Sequence, residues 1–462
     1  MKLEKHFNIL FVLFVVIITL LYGLLLFNGV ISFILFSFVY YFIINIFFKE
    51  FKRTGILLYL FFSLIGLSFC YSYQLSYSNS FGPYFDDSFY FNNAKYLSEL
   101  VFTAAAPTLF EVVLAVFFYI FEGVFNLKLD HLDLIPINFI LSSLSMLLVL
   151  KMLRFLNGAN YIIGGMLLYV VLFNFNFLDS SVHLYRDPLL IFFTLMSLSY
   201  SIKNKYIKAL LFAILVGLIR GANGMLCILF IIMHYYVIKK DFKIKTIVLL
   251  SFLLIMVFFA IGDKISGSFL RGGLGSNDNS SIASSLEERF SNLDDNKSGS
   301  ASLRNAGILG SVAFPFVYML SPLQVSLSNP IELNYEYLQS DKDYLLGSRL
   351  STPKFYNFEY ILILLHVFSI CFFIPKLFLG LYYGVRSSLK IENLISLFFI
   401  ISVLLISFVS MQARHKMLFI IIFPFILSYY YKNRTISERK ITNLISGIIL
   451  LIVLLYNIFN NF

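Results

Sequence analysis

The sequence predicts an all-α, multi-spanning membrane protein, and three observations carry that prediction. Apolar stretches close to 20 residues long recur along the whole chain, the length needed for a helix to cross a bilayer. Only 13% of the 462 residues are charged and 59% are apolar, whereas soluble domains run nearer a quarter charged. Mean hydropathy is +0.85. One large soluble domain with buried helices would leave too little polar surface. Counting apolar windows gives about eleven to thirteen spans.

Charge excludes less than it first suggests. Lys and Arg number 35 against 25 Asp and Glu, a formal net charge of +10. In a soluble chain that excess would hint at nucleic acid. Here much of it lies in short loops, where the bias of cationic residues towards the cytoplasm accounts for it. No nucleic-acid partner is expected. Cys70, Cys227 and Cys371 lie in or beside apolar stretches without metal spacing and read as packing residues. No nucleotide-binding glycine loop appears.

The individual segments follow from charge and hydropathy. Lys2, Lys5 and His6 precede a first apolar segment, 7–27, which lacks a cleavage signature and reads as an uncleaved span with a cytoplasmic N-terminus. A second span covers 30–48. Lys49, Lys52 and Arg53 form a basic turn before a third span, 55–71. That delivers residues 73–133 to the outer face as a first large loop region. The apolar segment 103–124 within it is ambiguous. As a full span it would put the cluster Lys151–Arg154 outside; as a re-entrant or surface-lying element, with Pro107 near its start and Gly123 near its end, it keeps that cluster inside. Charge bias favours the second reading.

Spans at 134–150, 161–177 and 189–201 come next, with 179–187 as a short outer loop. The stretch 209–238 is long for one span and short for two. It has basic residues at both ends and Arg220-Gly221-Ala222-Asn223-Gly224 in the middle. This predicts a hairpin of two helices with Arg220 at its tip. Beyond a span at 246–261, a second outer region, 262–357, is rich in Gly, Ser, Asn and acidic residues. Four last spans cover 358–379, 394–411, 417–431 and 441–458.

Four polar features converge on the outer side of this topology: Asp86–Asp87, Arg186–Asp187, Arg220, and Arg414–His415–Lys416. Charged groups at membrane depth are costly and need partners or ligands. Acids on one wall and guanidinium groups on another suit a substrate bearing both a phosphate and a hydroxyl. Each feature also has a plainer reading. Asp86–Asp87 reads equally as a solvated loop pair, and Asp187 beside Pro188 as a helix start. Arg220 suits a structural salt bridge, and Arg414 with Lys416 suits interfacial snorkelling. Phe and Tyr stripes read as packing or lipid-facing surface, although Tyr84, Phe85, Phe89 and Tyr90 suit a sugar ring or lipid chain.

The order of these features resembles the polytopic GT-C glycosyltransferases that use polyprenyl-linked donors. FDDSFYFNNAKYLSEL looks like their acidic first outer loop, and AAPTLFEVVLAVFFYIFEG is similar to the surface-lying segment that follows it. LKMLRFLNG resembles their basic turn with glycine, and HLYRDPLLIFFTLMSLSY the segment after an outer Arg/Asp pair. LLFAILVGLIRGANGMLCILF is similar to the short hairpin with arginine at its tip, and QARHKMLFIIIFPFIL to the late outer motif before a proline-containing span. The resemblance covers about 81–427. The chain departs from the pattern in having two extra N-terminal spans, Asp-Asp rather than Asp-Glu, and Asn223 near the arginine. These departures leave room for the related bacterial O-antigen or capsule repeat-unit polymerases.

The resemblance implies a transferase in the bacterial inner membrane with its site on the outer face. It would move a sugar from an undecaprenyl-phosphate donor to a lipid-linked glycan, alongside other polysaccharide-assembly proteins. Asp86 or Asp87 would act as catalytic base or hold a divalent cation, Mg2+ or Mn2+. Arg186, Arg220 and Arg414, with Asp187, His415 and Lys416 beside them, would form the phosphate-binding wall. A transporter or flippase for lipid-linked sugars is the rival from another class. The absence of an evident internal repeat and the large asymmetric loops favour an enzyme.

Overall fold

The computed structural model describes residues 11–21, 30–77, 85–100, 107–157, 171–172, 174–239, 353–409 and 420–461, and every regular element among them is helical. Four helical segments there are long and apolar enough to cross a bilayer: Lys49–Cys70, His131–Leu156, Ile361–Arg386 and Ile436–Tyr456. Shorter apolar helices accompany them, among them Ser32–Phe47, Asp187–Ile202 and Tyr206–Ile219. The chain is a polytopic all-α membrane protein.

In chain order the helices are α1 (Phe11–Leu21), α2 (Val30–Phe47), α3 (Lys52–Tyr77), α4 (Phe85–Ser98), α5 (Leu109–Phe118), α6 (His131–Leu134), α7 (Pro136–Asn157) and α8 (Phe175–Val182). There follow α9 (Asp187–Ile202), α10 (Tyr206–Ile219), α11 (Gly221–His234), α12 (Pro353–Arg386), α13 (Lys390–Val409), α14 (Phe423–Asn433) and α15 (Ile436–Asn461).

The bundle is built around α6–α7. Of its apolar window 89% is buried, against 11% for that of α15, so α7 is central and α15 peripheral. Ile441, Leu444, Leu451 and Ile452 on α15 are exposed, as a lipid-facing helix requires. Several hydroxyls inside the apolar helices are satisfied within their own turns. Ser37 donates to the Phe33 carbonyl, Ser63 to Tyr59 and Ser143 to Phe139, each at 2.7–2.8 Å. That is what a polar group needs where no water can solvate it.

Four local differences from the sequence reading stand out, three of them with an identifiable cause. Asp86 and Asp87, expected in a loop, fall in the first turn of α4, where the helix dipole favours acids. The segment 179–187, expected as a loop, begins as helix: Asn174 Oδ1 accepts from the Phe177 N–H to start α8. Ser180 and Ser181 then donate to the Phe177 carbonyl and carry the helix to Val182. α12 begins at Pro353, inside the expected polar region, because proline suits a first helical turn. α3 continues past the expected end to Tyr77.

Segment 103–124 is described from Pro107 onward. Its described part is the ten-residue α5 followed by a six-residue π-helical turn, Tyr119–Val124. Together they reach about 24 Å, short of the roughly 30 Å of a hydrocarbon core. α5 packs on α4 and on α10.

Cations gather at one end of the bundle. Arg154, on the last turns of α7, pairs with Glu50 just before α3. Lys151 Nζ lies 3.5 Å from the Phe47 carbonyl at the end of α2. α9 packs on α7 and runs in the same direction from the Asn138 contact with the His183 and Tyr185 carbonyls, which puts Lys203, at the end of α9, at this end too. The start of α9 therefore lies at the other end of the helix, about 24 Å away by its 16-residue length.

Candidate functional site

At that second end, the segment 183–186 joins α8 to α9 and is held from beneath. Asn138 Nδ2 on α7 donates to the carbonyls of His183 and Tyr185. The His183 and Tyr185 rings stack at 5.1 Å, and His183 Nε2 lies 3.4 Å from Asp179 Oδ1. Pro188 follows Asp187 in the first turn of α9 and fixes its backbone. Arg186 and Asp187 are thus presented by a braced turn.

Opposite stands the α10–α11 hairpin. Arg220 occupies the break between the two helices in an extended conformation, φ −153°, ψ 105°. Its N–H donates to the Val216 carbonyl, and its carbonyl accepts from Asn223 and Gly224. One backbone position therefore closes one helix and opens the next. The close approach is made by glycine: a Cβ on Gly224 would lie 2.5 Å from Gly217 Cα and 3.0 Å from the Ala213 carbonyl. A Cβ on Gly217 would find its nearest neighbour at 3.9 Å. Gly224→Ala is accordingly expected to cost about 1–3 kcal/mol and to lower the thermal midpoint of the detergent-solubilised protein. Gly217→Ala should leave that midpoint unchanged; equal effects would refute a backbone-to-backbone hairpin.

These elements bring three of the expected residues together. Asp187 Oδ1 lies 3.4 Å from Arg220 Nη1, with the two side chains 1% and 13% exposed. Asp187 therefore starts a helix, as its sequence suggests, while its carboxylate faces a guanidinium across the fold. Arg186 is also buried, and its Nε has no hydrogen-bond partner. Among the described residues no carboxylate pairs with Arg186. Its guanidinium carbon stands 5.8 Å from the Tyr90 ring centroid on α4.

Tyr90 ties α4 to the turn that carries Arg186. Burial pushes its phenol up to about 12; Arg186 and Arg220 pull the other way, while Asp187 and Glu111 reinforce the rise. At neutral pH it is a hydrogen-bond donor. Phe110 on α5 meets its ring edge-on at 5.6 Å. Glu111 accepts from Asn93 Nδ2 at 2.9 Å and from the Thr108 N–H at 2.5 Å, which locks α5 against α4. Asp86 and Asp87 stand four and three residues before Tyr90, one helical turn away. Their side chains lie outside the described residues, as do Arg414, His415 and Lys416 entirely.

Glu111, Asn93 and Asn138 were not anticipated from sequence. Thr108 and Glu111 carry a signal that finds them, the spacing of a capping box ahead of an apolar run. Asn138 carries none, since its partners are 45 and 47 residues away. Among the described residues no group of three or more His, Cys, Asp or Glu gathers to hold a metal ion.

No protein-family model, curated protein or solved structure matches the chain. The arrangement must speak through its chemistry: one paired guanidinium, one buried guanidinium that no carboxylate among the described residues pairs with, and a protonated phenol beside it.

Proposed function

We propose that the chain is a bacterial inner-membrane glycosyltransferase of GT-C type. It moves a sugar from a polyprenyl-phosphate donor to a lipid-linked glycan in surface-polysaccharide assembly. Arg186 is the observation that carries this reading. A buried cation without a carboxylate is costly, and a phosphate arriving as ligand would supply the missing charge and accept bidentately. Tyr90 adds a neutral donor, and the Asp187–Arg220 pair keeps a second guanidinium beside the first. The polytopic architecture is compatible with a donor anchored by a polyprenyl chain.

In this reading Asp86 or Asp87 takes the proton from the acceptor hydroxyl as its oxygen bonds to the anomeric carbon. The bond from that carbon to the phosphate oxygen breaks, and the phosphate leaves with the electron pair while its growing charge is met by Arg186. The substrate site would face the outer side, with the basic end of the bundle in the cytoplasm.

The test uses purified full-length protein with a polyprenyl-phosphate sugar and a lipid-linked acceptor. Sugar transfer by wild type is expected, with at least a hundredfold loss, the size of a general-base contribution, in Asp86→Asn/Asp87→Asn. Transfer at wild-type rate by that double variant sinks the mechanism. Long-chain products from a diphosphate-linked repeat unit would assign the polymerase reaction instead. Movement of the lipid across proteoliposomes with no bond made would assign a flippase.

A further inference from the structure

The opposite end of the bundle holds a second charged arrangement. Lys151 projects from the end of α7, Lys203 closes α9, and Lys205 precedes α10. α7 packs on α9, and both run from the contact of Asn138 with the His183 and Tyr185 carbonyls, so Lys151 and Lys203 reach the same end of the bundle with Lys205 two residues on. Like charges at one surface repel. Lys203 shows it: burial first, then Lys151 and Lys205, hold its ammonium below the ordinary lysine range. The bias of cations towards one face of the membrane explains how many lysines lie here. It does not explain why three gather where, among the described residues, no acid pairs with any of them.

Acids elsewhere in the chain do take lysines: Glu392 holds Lys432 at 2.8 Å, and Glu122 holds Lys95 at 3.6 Å. Beside Lys151, Glu50 is taken by Arg154. Among the described residues Lys151 meets the Phe47 carbonyl at 3.5 Å and the Phe48 ring at 5.3 Å. Among the described residues none of the three lysines forms an ion pair. Exposed apolar side chains border the cluster: Phe155 one turn along α7 from Lys151, Phe47 beneath it, and Ile207, 87% exposed, two residues past Lys205.

We propose that Lys151, Lys203 and Lys205 form a binding site for a phosphate-bearing anion, of which the headgroup of an anionic phospholipid is the occupant best matched by the bordering apolar side chains. The ammonium groups meet the phosphate, and Phe47, Phe155 and Ile207 lie along the acyl chains. This site is at the opposite end of α9 from Arg186 and stands or falls independently of the transferase reading.

The experiment is native mass spectrometry of the full-length protein in detergent, titrated separately with phosphatidylglycerol, phosphatidylcholine and inorganic pyrophosphate. Wild type should retain phosphatidylglycerol in preference to phosphatidylcholine, and raised salt should weaken that preference. Lys203→Gln should weaken binding roughly fivefold, and the triple variant K151Q/K203Q/K205Q roughly a hundredfold. The triple arginine variant, K151R/K203R/K205R, should bind like wild type, which separates loss of charge from misfolding. If the triple glutamine variant does not fold, Lys203→Gln alone carries the test. Wild-type affinity in the glutamine variants, or no preference for phosphatidylglycerol over phosphatidylcholine, would overturn the site. Pyrophosphate that displaces phosphatidylglycerol from wild type and binds more tightly would keep the phosphate site but assign it to a soluble ligand.

Discussion

Arg186→Gln is expected to weaken binding of a polyprenyl phosphate roughly 10- to 150-fold while leaving the protein as stable as before, or more so. The binding figure follows from the roughly 1.5–3 kcal/mol that a hydrogen bond to a charged group contributes. The stability figure follows from what the side chain touches. Among the described residues it has no carboxylate partner, and it has its Tyr90 contact at 5.8 Å. An interaction of that kind contributes about 0.5–1 kcal/mol at exposed sites and up to about 2 when desolvated. Removing a buried cation recovers its desolvation cost. Titration of a soluble short-chain prenyl phosphate, beside a thermal melt of the same preparation, separates the two quantities. A melt several degrees lower with unchanged binding would make Arg186 a structural cation and remove the main support for phosphate recognition.

The parts of this molecule that were legible in the sequence are those encoded locally. Basic residues flanking 209–238 require both ends of that stretch on one side, and the α10–α11 hairpin with Arg220 at its break is the result. The same charge logic favours a re-entrant or surface-lying reading of 103–124, whose described part is a short helix and a π-helical turn. Pro188 and Asp187 mark the start of α9. In each case residues within one or two turns decide the outcome, through helix-end chemistry or the cost of a charge on the wrong side of a bilayer.

What was not legible is which polar groups face one another. Arg186, Asp187 and Arg220 each stand out as charges in an apolar context, but nothing local says that Asp187 faces Arg220, 33 residues away, while no acid among the described residues pairs with Arg186. That division is settled by the backbone contact of Gly217 and Gly224, which sets where the hairpin tip stands, and by Asn138, which holds the turn before α9. Tyr90 is similar. In a chain with 30 tyrosines, one buried over a guanidinium has no signature of its own. The aspartates one turn before it were conspicuous in sequence, whereas the residue that ties their helix to the arginines was not.

Asp187→Asn should be the most damaging single polar substitution at this end of the bundle. Removing one member of a buried ion pair costs about 3–5 kcal/mol, because the other charge stays buried. Here the lower part of that range applies, since Arg220 is 13% exposed and the 3.4 Å approach lacks hydrogen-bond geometry. Adding Arg220→Gln should recover part of the loss, with a coupling of roughly 0.5–3 kcal/mol in the double-mutant cycle. Thermal melts of the four proteins in one detergent measure it. Additive effects would mean that the pair does not stabilise the fold. The cycle also bears on binding. If Asp187 serves only to hold Arg220 in place, the double variant regains stability without regaining prenyl-phosphate affinity, because the second guanidinium is gone. If affinity returns with stability, the phosphate depends on Arg186 alone, and the Asp187–Arg220 pair is scaffold beneath it.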